Sequence, residues 1–327
     1  MKMIIKNSML RRRQVFSLSA AALLVLSLGA GSTALAGKCR VCNFTALLAF
    51  NANLEEANSD YFIAFGKAIN INDAAERAEA IAEAGLAFTE NKEQAGAVRK
   101  ARLELCRELN ECRYEPDVDP DNFLTPAETA ANPNPYFPLV PGTIHTYESV
   151  TEEGMETIVV EVTDNTVEIL GVTCIEVRDT VTLEGEFVED TKDWYAQDKL
   201  GNIWYFGEIS FNFEDGEIVD IEGSWRAGVD GAQPGIVMKG TPEVGDVYRQ
   251  EWLLNEAEDA GEILALNETA VVPAGTFTQC LKTRDINPHD PETVEHKLYA
   301  PGVGFVLEIK PETGETVELI SVVTPSQ

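Results

Sequence analysis

The second half of the sequence repeats itself at a nearly constant interval. Three landmarks recur in the same order, namely a glycine, a cysteine and a Tyr-Ala pair. The matched residues are Gly142 with Gly245, Cys174 with Cys280, and Tyr195 with Tyr299. Two similar β-meanders can each bury one face against the other, which protects strand edges that one meander alone would expose. The repeat therefore predicts a barrel or sandwich made of a duplicated antiparallel β-meander, with halves at about 142–243 and 244–327.

Residues 142–327 also carry the local signals of antiparallel strands. β-branched and aromatic residues, which favour strands, are concentrated in four segments. These segments are 157–162, 169–178, 203–206 and 303–309. The candidate hairpin turns, each with glycine at its second position, are Glu184-Gly185, Asp215-Gly216 and Thr313-Gly314. We therefore expect this part of the chain to consist almost wholly of strands.

Residues 37–113 predict helices instead, so the expected fold class is α+β. The stretch 73–84 is rich in alanine and glutamate, which are strong helix formers. A later stretch places four residues at helical spacing: Val98, Arg102, Leu105 and Leu109. Asn72 or Asp73 can cap the second helix after a corner at 70–72. The pattern predicts an antiparallel helical hairpin.

The first 36 residues are typical of a cleavable export signal. Basic residues at 11–13 precede the apolar run 20–28, which is too short to span a bilayer. Residues 34–36 (Ala-Leu-Ala) supply the small side chains that a signal peptidase needs. Arg12-Arg13 also resembles a twin-arginine signal, so the Sec and twin-arginine routes both stay open. We expect a periplasmic or extracellular protein with no integral membrane segment after the signal is removed.

The acidic charge of the chain excludes one class of partner. The formal net charge is −30 at pH 7, and removal of the basic signal makes the remainder more acidic. Nucleic acids and anionic lipids bind through cations on the protein. We therefore expect no nucleic acid partner, but an unknown small molecule or protein. Solubility or a saline habitat explains such a surface more simply than a dedicated cation function does.

All six cysteines follow the expected signal, and an even number in an oxidising compartment is typical of disulfides. Pairing across the hairpin predicts Cys42–Cys106 and Cys39–Cys112. A third disulfide between Cys174 and Cys280 is expected, because these residues occupy equivalent positions in the repeat. Zinc held by four thiolates and a redox-active Cys-x-x-Cys are the alternatives. The spacing of the second pair and the lack of a preceding strand favour structural disulfides.

Residues 114–141 are expected to be an acidic, proline-rich linker, since proline disfavours regular structure. The linker also contains acids that are spaced like the ligands of a calcium loop, which requires oxygen ligands. The candidate ligands are Asp117, Asp119, Asp121 and Glu128. Asn122 stands where such a loop needs glycine for its sharp turn. We therefore expect no cofactor, with calcium at these carboxylates as the alternative.

Four longer runs carry a family resemblance. They are 134–142, 193–208 (DWYAQDKLGNIWYFGE), 223–235 (GSWRAGVDGAQPG) and 295–304. In these runs the chain resembles a family of uncharacterised exported bacterial proteins with a cysteine-containing helical region and a β-rich domain. A looser likeness, at 272–277 and 299–304, is to periplasmic half-barrels of the lipocalin or lipoprotein-carrier type. The resemblance covers the linker and most of the β region, and it implies no activity.

Aromatic residues are concentrated in 193–208 and at the start of the glycine-rich stretch 223–240. The candidate ligand-binding residues are Trp194, Tyr195, Trp204, Trp225 and Arg226. Aromatic residues at this density can line a pocket for an apolar or sugar-like ligand at the mouth of a barrel. They are also typical of cross-strand pairs in a sheet core.

Familiar enzyme signatures are missing from the sequence. It contains no Gly-x-Ser-x-Gly, no His-Glu-x-x-His, no P-loop and no dinucleotide fingerprint. A metal- or carboxylate-dependent hydrolase would use two converging carboxylates in one cleft. Its candidate acids are Asp193, Asp198, Asp230, Glu251 and Asp259.

The sequence thus favours an exported, non-catalytic binding or interaction protein of unknown ligand. The alternatives are the hydrolase and an envelope structural protein that associates with calcium. A barrel filled by side chains, with no pocket at either mouth, would argue against the binding hypothesis.

Overall fold

A computed structural model describes residues 41–111 and 113–325 of the chain. The expected export signal at 1–36 lies outside the described residues, and so do Cys39 and Cys112. The Cys39–Cys112 disulfide therefore stays a prediction.

Two long helices form the expected hairpin. α1 spans Val41–Ala68 and α2 spans Ala74–Leu109. Asp73 caps α2, because its side chain accepts hydrogen bonds from the backbone N–H groups of Ala75 and Glu76. The buried residues along α1 are all alanines, and small side chains allow the two helix backbones to approach closely. No helix in the described part of the chain has the length and apolarity needed to cross a membrane.

The Cys42–Cys106 disulfide is confirmed. It joins the first turn of α1 to the last turn of α2, and the two Cα atoms lie 5.9 Å apart, a normal separation for a disulfide. It therefore closes the open end of the hairpin, because a pair of helices buries little apolar surface of its own.

The segment 114–141 contains more regular structure than its prolines predict. A 3-10 turn at Pro120–Asn122 precedes α3 at Pro126–Ala131. Thr125 and Glu128 form a reciprocal capping box at the start of α3. Further on, Phe137 and Leu139 are buried in the core of the β domain. The segment is therefore packed against the sheet along its length.

Fifteen strands follow within the described range 113–325. They are β1 (Ile144–Thr151), β2 (Gly154–Ile169), β3 (Val172–Leu183), β4 (Glu186–Gln197), β5 (Ile203–Glu214), β6 (Glu217–Asp220), β7 (Trp225–Arg226), β8 (Gln233–Met238), β9 (Val247–Arg249), β10 (Glu251–Trp252), β11 (Ala260–Val272), β12 (Gly275–Ile286), β13 (Glu295–Ala300), β14 (Gly304–Ile309) and β15 (Thr316–Val323). Positive φ angles at Glu184-Gly185 and Asp215-Gly216 confirm two of the predicted hairpin turns. The predicted strand 169–178 is interrupted, because Leu170 and Gly171 form the turn between β2 and β3.

The strands form one antiparallel, barrel-like sheet. Its order is β10-β8-β5-β4-β3-β2-β1-β15-β14-β13-β12-β11-β9, and β6 and β7 both pair with β5. The meander β1–β5 is thus joined to the meander β11–β15 by the pairing of β1 with β15. β8 and β9, which lie near the two ends of this order, contact each other. The sheet therefore curls around an interior.

The expected Cys174–Cys280 disulfide is wrong, because both cysteines are free, buried thiols. Cys174 lies on β3 and Cys280 lies on β12, and five strands separate β3 from β12 in the sheet order. A disulfide requires Cα atoms within about 7 Å, whereas neighbouring strands alone are about 4.8 Å apart. Equivalent positions in a repeat therefore do not imply contact.

The helical hairpin docks directly on the β domain through polar contacts. Arg102 of α2 pairs with Glu258, and Gln94 donates a hydrogen bond to the backbone carbonyl of His289 at 2.9 Å. Arg249 of β9 pairs with Glu111 just beyond the end of α2. These contacts join the hairpin to the edge of the sheet that β9 forms.

Candidate functional site

The predicted aromatic residues lie on two faces of the β4–β5 hairpin. Tyr195 faces the interior and stacks on Tyr205, with ring centroids 4.8 Å apart. Trp225 packs edge-on against Tyr205 at 5.2 Å. Trp194 lies on the opposite face of β4, where the guanidinium of Arg226 is 5.8 Å from its ring. The five candidate ligand-binding residues therefore share no single surface. Those that face the interior, Tyr195 and Trp225, form core pairs with Tyr205.

Trp204 and Asp198 organise the turn between β4 and β5. The Trp204 Nε1 donates to Asp198 Oδ2 at 2.9 Å. Oδ1 of Asp198 accepts from the backbone N–H groups of Leu200 and Asn202, each at 2.9 Å. Asp198 thus stabilises a turn, which accounts for a polar residue at this position without a ligand.

Two of the four linker carboxylates, Asp119 and Glu128, cap backbone N–H groups. Asp119 accepts from the backbone N–H of Asp121 at 3.0 Å, and Glu128 accepts from Thr125 at the start of α3. Within residues 41–111 and 113–325, no group of three or more His, Cys, Asp or Glu side chains is arranged to hold a metal ion. Calcium at Asp117, Asp119, Asp121 and Glu128 therefore stays an untested alternative.

Three carboxylates lie on the interior face of three adjacent strands, and we call them the interior acidic cluster: Asp179 (β3), Asp193 (β4) and Glu208 (β5). Asp193 lies directly opposite Glu208 across the β4–β5 pair. Asp179 pairs with Thr191, two residues from Asp193 on the same face. All three side chains are buried. Like charges directly opposite each other weaken a sheet.

Asp179 is the least satisfied member of this cluster. It is 6% exposed, and its Oδ1 has no hydrogen-bond partner in the part of the chain that the structure describes. Burial, followed by the charges of Asp193 and Glu189, raises the pKa of Asp179 well above its ordinary value. A buried carboxylate in this state costs free energy in the folded protein.

Asp193 is held by a tyrosine. The Tyr205 hydroxyl donates to Asp193 Oδ1 at 2.6 Å. Burial, then the charges of Asp193 and Glu208, raises the pKa of Tyr205 well above its ordinary value, so this phenol stays a donor. Glu251 also contributes to that shift. Of the five candidate hydrolase acids, Asp193 and Glu251 therefore lie near one phenol, whereas Asp230 is exposed in a turn.

The meander β11–β15 carries a lysine at the position where the meander β1–β5 carries Asp193. Lys297 of β13 is buried, with its Nζ 2.5 Å from Asp285 Oδ2 and 3.6 Å from Glu308 Oε2. Burial disfavours its charge, but Asp285, Glu308 and Glu295 outweigh burial and raise the pKa of Lys297. Burial raises the pKa of Glu308 to about 7. This wall of the interior thus contains its own cation.

One end of the interior holds a small apolar cavity of about 40 Å3. Phe137, Pro138 and Leu139 form part of its wall. Its lining residues include His145, Tyr147, Val160, Val162, Val177 and Phe305. The cavity is large enough for about three water-sized groups, so the interior is not completely filled.

Sequence reasoning missed Asp179, Glu208 and Lys297 as parts of one interior. The available signal was the alternation along two strands. Thr191, Asp193 and Tyr195 share one face of β4, and Glu295, Lys297 and Tyr299 share one face of β13. Polar residues in phase with buried tyrosines indicate polar side chains that point inward.

Comparisons with known proteins assign no family. No protein-family model matches the chain, and no curated protein matches it. Among solved structures, a crystal structure of a putative lipoprotein from Parabacteroides distasonis is similar over 58% of this chain and 99% of that chain. The two are 14% identical, with a TM-score of 0.34. A likeness of this degree carries no argument about function.

Proposed function

We propose that the chain is an exported binding protein whose ligand site is the polar interior of the barrel-like sheet. The Cys42–Cys106 disulfide supports an oxidising compartment outside the cytoplasm, in agreement with the signal expected at 1–36. The observation that carries the proposal is Asp179, a buried carboxylate with an unpartnered oxygen beside other carboxylates. Such groups are retained where a ligand supplies the missing partner. The ligand therefore carries a hydrogen-bond donor or a positive charge.

The sequence repeat suggests how this site arose. Cys174 and Cys280 lie on the equivalent strands β3 and β12, and Tyr195 and Tyr299 lie on β4 and β13. In the same alignment Asp179 corresponds to Asp285, and Asp193 corresponds to Lys297. We propose two duplicated meanders that diverged at the interior. One kept a lysine beside its carboxylates, and the other kept the acidic cluster for a ligand.

A carboxylate-dependent hydrolase is the second candidate, because Asp193 lies directly opposite Glu208. Paired carboxylates can act as acid and base in glycoside hydrolysis. Release of product from a chromogenic glycoside panel, lost in Asp193→Asn, would favour this reaction over simple binding.

Native mass spectrometry tests the binding proposal. The protein is purified from the compartment to which it is exported and measured with a denatured control. We expect an additional mass that is lost on denaturation and is absent from Asp179→Asn. The matched control is Asp215→Asn, which removes an exposed carboxylate from a turn that suits asparagine equally well. An adduct of the same mass and abundance in Asp179→Asn would remove this site.

A further inference from the structure

The apolar cavity and the interior acidic cluster are neighbours in the sheet. Val160 on β2 pairs directly with Asp179 on β3, and Val177 lies two residues before Asp179 on the same face. Both valines line the cavity. Two of the same-face neighbours of Asp179 are thus walls of the cavity, so Asp179 stands next to the cavity wall in the sheet.

An electrostatic interaction also links the cavity to the cluster. Tyr147 also lines the cavity, and after burial itself, the charge of Asp179 is the largest influence that raises the pKa of Tyr147. The Tyr147 hydroxyl already donates to the backbone carbonyl of Phe305 at 3.0 Å. Tyr147 therefore lies within the electrostatic influence of Asp179. Its hydroxyl proton is donated to the Phe305 carbonyl, so it makes no hydrogen bond to that carboxylate.

We infer that the site takes a small amphipathic cation, a primary alkylammonium group whose nitrogen lies against Asp179 and whose short chain fills the apolar cavity. This inference rests on the proposed binding function and adds the ligand class. An ammonium provides three donors and a charge for the unpartnered Oδ1. The valines, Tyr147 and Phe305 surround a chain of about three carbons, which is the size that the cavity allows.

Among the described residues, three side chains near the interior that can carry a positive charge are held by other partners. Lys297 is held by Asp285 and Glu308 on the other meander, and Lys310 lies 3.6 Å from Glu295. His145, which lines the cavity, is used by a contact of 2.9 Å between its Nε2 and the carbonyl of Val303. Burial lowers the pKa of His145, so it stays neutral.

A homologous series of amines tests the inference. Methylammonium to hexylammonium chlorides are titrated into the purified protein by calorimetry, with n-propanol and n-butanol as uncharged equivalents. We expect affinity to rise about fourfold per methylene up to about three carbons and then to fall, since each buried methylene contributes a transfer free energy of this size. The alcohols should bind at least tenfold more weakly, because they lack the charge.

Two variants locate the two parts of the ligand. Asp179→Asn should weaken propylammonium binding by about 10- to 100-fold, whereas Asp215→Asn should not change it. Val177→Ile adds one methyl group to the cavity wall and should shorten the best chain by about one carbon. Val150→Ile, at a residue that is 67% exposed, is its control. Thermal unfolding of each variant shows whether the fold is retained.

The outcomes separate this inference from the proposed function. Alcohols that bind as well as amines, or an affinity that is independent of chain length, would overturn the alkylammonium assignment. A native adduct of another chemical class that still depends on Asp179 would overturn it as well, while leaving the binding function intact. If no amine binds and the native protein carries no adduct, both proposals fall.

Discussion

Arg102 of α2 and Glu258 of the β domain form a two-point ion pair in which both side chains are buried. Arg102 Nε donates to Glu258 Oε2 at 2.8 Å, and Nη2 donates to Oε1 at 2.6 Å. Oε1 of Glu258 also accepts a hydrogen bond from the backbone N–H of Asn255 at 2.6 Å. The pair joins the helical hairpin to the β domain, so the docking of the two parts depends on charge.

Arg102→Ala should destabilise the protein by about 3 to 5 kcal/mol, because it leaves Glu258 buried without its cation. The control is Arg107→Ala on the same helix, where an exposed pair with Glu104 at 3.6 Å contributes less than about 0.5 kcal/mol. Urea unfolding measures both. Similar midpoints for the two variants would show that the buried pair does not hold the hairpin in place.

The same ion pair predicts sensitivity to acid. Burial opposes the charge of Glu258, but His289 and Arg102 favour it more strongly, and the pKa falls to about 2. A lowered folded-state pKa stabilises the protein fully above the unfolded value near 4.5, and this contribution disappears as the pH falls towards 2. Unfolding free energies measured from pH 6 to pH 2 should decrease by about 3 kcal/mol from this group. Glu258→Gln should flatten that part of the curve.

Asp179→Asn should stabilise the ligand-free protein by about 1 kcal/mol at pH 7, since it removes a buried charge beside Asp193. The raised folded-state pKa sets the direction of the pH dependence. The wild-type chain loses stability as the pH rises above about 4, the unfolded value of aspartate. The advantage of the variant should therefore be small near pH 4 and larger at pH 7. Thermal unfolding at both pH values measures it, and an unstable variant at pH 7 would contradict the assignment of Asp179 to ligand binding.

Cys174 and Cys280 should behave as buried free thiols. Titration with a thiol reagent should leave both unreacted in the native protein and modify both after denaturation without reductant, because a buried thiol in apolar surroundings is inert. Peptide mapping of the modified protein identifies the two sites and confirms that Cys42 stays protected. Detection of a peptide crosslinked through Cys174 and Cys280 would contradict this prediction and support the disulfide that the repeat suggested.

Local sequence determined the helices, the turns and one disulfide. Alanine-rich stretches with Asp73 as a cap predicted the helical hairpin, and glycine after Glu184 and Asp215 predicted two turns, because backbone hydrogen bonds and positive φ angles depend on neighbouring residues. Cys42–Cys106 followed from the antiparallel hairpin. The β-rich second half also followed from composition.

Tertiary structure alone decided which distant residues meet. Arg102 and Glu258 belong to segments far apart in the chain, and no local signal pairs them. Cys174 and Cys280 occupy equivalent positions in the repeat, yet the sheet order keeps five strands between them. The interior acidic cluster arises because strand register places Asp179, Asp193 and Glu208 on one buried face. Alternation shows only that side chains point to opposite faces, whereas pairing between strands determines the residues that share an interior.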